Sequence, residues 1–170
     1  MMCDMKAITM TQPWATLLAL GANRIETRSW PTSYRGPLAI HTAIGFPKYA
    51  VELCRQSPYA EALAAGGYDD AADLPRGKVI SVGTLDDLLR CDESTERSII
   101  EQSRAGLLPA HELAFGDFSA GRFGFVLSDM RMLASPLHAR GMLGLWNVPA
   151  ELEDRIVSQI TPRLRQKAPT

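Results

Sequence analysis

A chain of 170 residues with 46% hydrophobic and 22% charged side chains has the size and balance of one globular domain that buries its own core, and too little length for two. No apolar run reaches the roughly 20 residues that cross a bilayer, and the start, MMCDMKAITM, lacks the basic-then-apolar order of a secretory signal; a cytoplasmic protein without membrane contact is expected. The formal net charge of −1 hides an acidic middle, residues 51–118, between mildly basic flanks. Either the flanks fold together into one positive surface or the difference is scatter.

Cys3, Cys54 and Cys91 are widely spaced, with no C-x-x-C pair and no histidine at ligand distance. They read as free thiols in a reducing compartment, with no metal site and no cofactor expected.

In chain order, residues 6–10 alternate weakly and predict a first strand. Thr11 or Gln12 can cap the next element, Pro13 suits a first helical turn, and Gly21 supplies a left-handed stop. Between them Trp14, Leu17 and Leu18 fall at i, i+3 and i+4, so a short helix buries one stripe. Residues 25–30 have the period of a strand, with Glu26, Arg28 and Trp30 on one face. Two charges and a tryptophan in strict alternation imply a face that meets something polar. Pro31 stops that strand, Tyr34-Arg35-Gly36-Pro37 is a turn, and residues 38–43 form a third strand.

Residues 46–65 are helical in flavour, and Pro47 and Pro58 divide them into two short helices. Residues 66–77 are a loop. Residues 78–89 begin as a buried strand and drift to an acidic edge, and 92–114 form an acidic, partly helical excursion on the surface. Gly121-Arg122 precedes a strand in which Phe123, Phe125 and Leu127 alternate with Gly124, Val126 and Ser128. A short strand ends near Trp146, residues 150–160 are amphipathic, and 161–170 are a polar tail. The pattern predicts an α+β fold: a small, closed or nearly closed β-barrel of short, mostly antiparallel strands, with an early helix and peripheral helices, in a single domain over 1–160.

Gln12-Pro13-Trp14-Ala15, then Gly21, Glu26, Arg28 and Trp30, followed by Arg35-Gly36-Pro37, resemble the opening of the ASCH (activating signal cointegrator homology) domain. Leu74-Pro75-Arg76-Gly77, Phe115-Gly116-Asp117-Phe118 with Gly121-Arg122, and Arg140-Gly141 through Gly144-Leu145-Trp146-Asn147 resemble its later landmarks, in order. The resemblance implies a PUA-like β-barrel associated with RNA or other nucleic-acid binding, with a cleft between the early helix and the barrel. Some bacterial members are similar to ribonucleases or to amidohydrolases acting on modified cytidine. Where the family commonly has lysine two residues after the glycine, this chain has Asn23, and where the amidohydrolase branch has a reactive threonine it has Glu26. Asparagine is neither nucleophile nor base, so that mechanism does not carry over.

Arg24, Arg28, Arg35, Arg122 and Arg140 are candidates to neutralise phosphates; the alternative is a set of solvated or ion-paired arginines. With Gln12, Asn23 and Trp30, whose ring can stack on a base, they make up the nucleic-acid-binding set. Trp14 and Trp146 read as core. Glu26 can act as a general base, hydrogen-bond a base edge, or pair with Arg28 or Arg122. His41 and Lys48 complete a catalytic set that applies only to an enzyme. The first reading is a binder of RNA or of a nucleotide-like small molecule. The second is a hydrolase, either a metal-independent ribonuclease or an amidohydrolase on modified cytidine; the third is a module for a protein partner.

Overall fold

The computed structural model describes residues 4–160; Cys3 and the polar tail lie outside the described residues. Six strands form one sheet in the order β2-β5-β4-β3-β1-β6. These are β1 (Lys6–Met10), β2 (Ile25–Arg28), β3 (Gly36–Thr42), β4 (Lys78–Arg90), β5 (Phe123–His138) and β6 (Leu145–Asn147). β1 pairs in parallel with β3 and antiparallel with β6, and the other pairings are antiparallel. The parallel pair needs a crossover, and that crossover carries α1 (Trp14–Ala19) and β2.

The α+β fold with a curled, mostly antiparallel sheet is as expected, with two differences of detail. The strands are not uniformly short, since β4 has 13 residues and β5 has 16. The sheet also does not close: β2 and β6 are its two edges, and the result is a curled, mixed half-barrel. Register shifts at Val79/Ser81, Val82/Thr84 and Leu85/Asp87 interrupt the β4–β5 ladder. Each irregularity bends the strands and adds twist, so one long ribbon serves two cores.

On one face Ile8, Leu38, Ile40, Leu85, Phe125 and Leu127 pack on Ala15, Leu18 and Ala19 of α1. On the other, Ala7, Ala39, Val79, Leu133 and Trp146 pack on Ile156 of α5 (Ala150–Ile160). Alternation along β1 and β3 assigns neighbours to opposite faces, as the period of two requires. The α1 stripe is wider than its spacing predicts, for every residue of the helix from Ala15 to Ala19 is buried. Gly21 takes φ 74° and stops it, while the Gln12 side-chain carbonyl accepts from Thr16 N–H at 3.1 Å.

Prolines precede α2 (Lys48–Leu53) and α3 (Tyr59–Ala65), as the sequence predicts. The 92–114 region is less superficial than expected. Beside α4 (Thr95–Arg104) it sends Ile99 into a small core with Ile25, Cys91 and Phe118, and it buries Glu112 completely. Among the described residues no helix is long and apolar enough to cross a membrane.

Gly124 is where β2 meets the ribbon, opposite Thr27. A Cβ there would stand 2.7 Å from Ile25 Cγ2 and 3.3 Å from Leu89 Cβ. Ile25 is buried and stiff at χ1, so the overlap is relieved only by backbone movement. Gly124→Ala is expected to lower stability by on the order of 1 kcal/mol, read as a lower urea midpoint.

Candidate functional site

A cleft of about 280 Å³ opens where α1, α3 and β2 face the segment that enters β5, lined by Trp14, Glu26, Thr27, Tyr59, Ala114, Phe115, Gly116 and Asp117. Trp14 leads α1, and its ring stands edge-on to Tyr59, centroids 6.4 Å apart. The Tyr59 hydroxyl donates to the Ala114 carbonyl at 2.9 Å, which fixes one aromatic wall to the opposite loop. Thr27 ties the strand to that loop as well, its hydroxyl accepting from Asp117 N–H at 3.0 Å.

Glu26 is the charged group of the floor. Its side chain is 13% exposed, and its Oε1 lies 3.0 Å from Arg28 Nε. Burial in the cleft pushes the Glu26 carboxyl up to about 6, against the opposing pull of Arg28 and Arg122; loss of hydration outweighs both guanidinium charges. Arg28 in turn donates through Nη2 to the Thr9 carbonyl at 2.9 Å. It spans from β2 to β1 and is committed to the scaffold as much as to the site. Arg122 is half-buried, donating to the Asp117 carbonyl at 3.1 Å and to the Thr27 carbonyl at 3.4 Å. Asp117 accepts from Ser119 N–H and Oγ–H. These bonds, with Arg122 nearby, hold its carboxyl below the usual range. The cleft thus holds one ionised acid, Asp117, and one acid poised near neutrality, Glu26, between aromatic walls, with the guanidinium groups of Arg28 and Arg122 behind them.

The remaining residues singled out in the sequence are dispersed. Gln12 is fully buried and donates to the Pro75 carbonyl at 2.8 Å. Asn23 is 1% exposed, and its amide donates to the Ile25 carbonyl at 3.2 Å; both side chains hold loops from within. Trp30 lies just beyond β2, its ring edge-on to Phe125 at 5.1 Å, the residue paired with Glu26; it stays on the Glu26 side of the strand but does not line the cleft. Arg24 is exposed and turned toward the Leu127 and Leu107 carbonyls. Arg35 sits on its turn, bonded to the Tyr34 and Thr32 carbonyls and 3.5 Å from Asp87. Arg140 borders a separate hollow beside α5 with His138, Met142, Trp146 and Arg155.

The catalytic set is not assembled. His41 is 1% exposed on the α5 side of the sheet, its ring held by the Ala139 carbonyl at 2.8 Å and Thr9 Oγ1 at 3.2 Å. Burial pulls its pKa down. Lys48 is exposed at the start of α2; neither it nor His41 lines the cleft.

Sequence reasoning missed Glu112. Both its oxygens accept from Arg24 N–H, at 3.1 and 2.8 Å, and one also accepts from Ile25 N–H at 2.8 Å. A buried carboxylate therefore clamps the backbone that leads into β2 and aims Glu26. An S/T-x-x-E helix-start pattern or a helix-face pair would have flagged it; here the carboxylate serves a distant strand, and no local signal exists. Tyr59 was missed too, its alanine-rich helix giving no hint of a role.

Against solved structures, the chain is similar to the ASCH protein from Zymomonas mobilis, with 15% identity and a TM-score of 0.52 over 91% of this chain and 94% of that one. A tyrosine-to-phenylalanine mutant of that protein matches with 12% identity and a TM-score of 0.53, covering 92% and 98% of the two chains. No protein-family model matches the sequence, and the search of curated proteins gave no match. Similarity at that identity, extending over nearly the whole of both chains, concerns the backbone: this protein shares the fold of the Zymomonas mobilis ASCH protein.

Proposed function

We propose that the protein binds RNA, or a nucleotide-like ligand of the same chemistry, in the cleft floored by Glu26. One observation carries the reading: a carboxyl held near neutrality, paired with Arg28 and within the field of Arg122, lines one cleft with the rings of Trp14 and Tyr59. Aromatic walls offer sequence-tolerant stacking, a carboxylate accepts the amino and imino hydrogens of a base edge, and Arg122 at the rim can meet a phosphate. The cleft volume suits one nucleoside unit, and the fold is one whose resemblance implies nucleic-acid association.

The hydrolase alternative has less support. Asn23 is sealed into a loop, and neither His41 nor Lys48 lines the cleft, so Glu26 has lost the partners assigned to it. The third reading, a module for a protein partner, has no specific surface in its favour.

Filter binding of single-stranded RNA across a salt series tests the proposal. Retention is expected at low salt, falling linearly in log–log form as salt rises. Arg122→Ala is expected to weaken binding about tenfold and to lower the slope by roughly one phosphate contact. No retention at low salt, or an unchanged affinity in the variant, overturns it.

A further inference from the structure

The aromatic side of the cleft does not stop at its mouth. Trp14, one of the lining residues, has the ring of Tyr49 beside it at a centroid distance of 6.4 Å and an interplanar angle of 45°. Tyr49, in the first turn of α2, is 63% exposed, and Ile44, on the connection from β3 to that helix, is 76% exposed. Large apolar side chains left this open add little to the core, and through Trp14 the ring of Tyr49 is continuous with the cleft.

Two cations accompany them. Lys48 precedes Tyr49 and is exposed. Arg76, also exposed, donates to the Ile44 carbonyl at 3.4 Å, which brings a second, separate loop to the same lip. The acid on the same helix, Glu52, is engaged by Arg55 at 2.9 Å. The lip therefore presents a ring face, an aliphatic side chain and two positive charges beside a cleft whose volume suits one nucleoside unit. Aromatic side chains beside Lys and Arg along a groove are the elements that hold successive nucleotides of a single strand.

We infer that the lip is a second nucleotide position: Tyr49 stacks on the base that follows the one in the cleft, and Lys48 and Arg76 face the phosphate that links them. This rests on the cleft reading above. It makes the ligand a single strand of at least two nucleotides instead of a free nucleoside.

The test compares nucleoside 5′-monophosphates with the dinucleotides built from them, by isothermal titration of the whole protein at low salt. Dinucleotides are expected to bind more tightly than monophosphates. Tyr49→Ala is expected to lower dinucleotide affinity roughly 5- to 150-fold, the range of one lost base stack, and to leave monophosphate affinity unchanged. Tyr49→Phe is expected to retain the dinucleotide advantage. Monophosphate binding with no dinucleotide advantage, or with an advantage that Tyr49→Ala leaves intact, overturns the second position and leaves the cleft reading standing. Equal losses for both probes in Tyr49→Ala also overturn it, since Tyr49 then belongs to the first position. Binding of neither probe by the unaltered protein defeats both readings.

Discussion

Glu112→Ala is expected to lower the unfolding free energy by about 3 kcal/mol, because it strands two buried backbone donors at roughly 1–3 kcal/mol each. Those donors, Arg24 N–H and Ile25 N–H, are held by the carboxylate at distances down to 2.8 Å. Glu112 itself is 0% exposed, so water does not reach the site to replace it without opening the fold. Glu112→Gln keeps one side-chain oxygen as acceptor and is expected to cost about half as much. Urea unfolding at neutral pH followed by tryptophan fluorescence measures both. An unchanged midpoint in the alanine variant would show that the backbone before β2 does not depend on this clamp. Nothing in the substitution touches the cleft directly, yet ligand binding should weaken with it, since β2 carries Glu26 and Thr27.

Glu26→Gln is expected to act in the opposite direction on stability and to reduce binding. The folded-state pKa of about 6 lies above the ordinary value of 4.5, so the folded protein holds its proton more tightly than the unfolded chain does. Stability therefore falls as pH rises from 4.5 through 6, and the ionised form costs about 2 kcal/mol at pH 7. Glutamine mimics the neutral form, and the variant should be more stable by about that amount at pH 7, with the difference vanishing below pH 4.5. RNA affinity at pH 7 should drop about tenfold or more, the loss of a charged acceptor in a site shielded from water. Denaturation at the two pH values and filter binding at one of them make the comparison. Equal stabilities at pH 7, or unchanged binding, would remove Glu26 from the centre of the site. The pairing of a stability gain with a binding loss is what a site that stores unfavourable burial predicts.

How much of this was legible depends on the range of the interactions. The β1 strand, the stop at Gly21, the prolines before α2 and α3, and the amphipathic α5 are set by neighbours in sequence, and the pattern reports them. The β4–β5 ribbon was only half visible, because its register shifts break the period of two that marks a strand. His41 stands between buried Ile40 and buried Thr42, and spacing does not say which face of a sheet it joins; it joins the α5 side. Trp30 keeps to the Glu26 side, against Phe125, but the strand ends at Arg28 and the ring packs beside the cleft without lining it. Glu26 with Arg28 was foreseeable as an ion pair two residues apart. Glu112 was not, since its partners lie 87 and 88 residues away and it ends a segment, residues 92–114, whose overall acidity reads as solvated surface.

The crossover that joins the parallel strands β1 and β3 has a temporal consequence. Thr27 meets Asp117 and Arg122 across separations of 90 and 95 residues, so the opposite wall of the cleft arrives only after most of the chain has been made. Non-local closure of this kind is slow. A growing chain that has reached α3 already carries Trp14 and Tyr59 but lacks the 114–117 segment that faces them, and during that interval these rings are sticky surface before they are walls of a cleft.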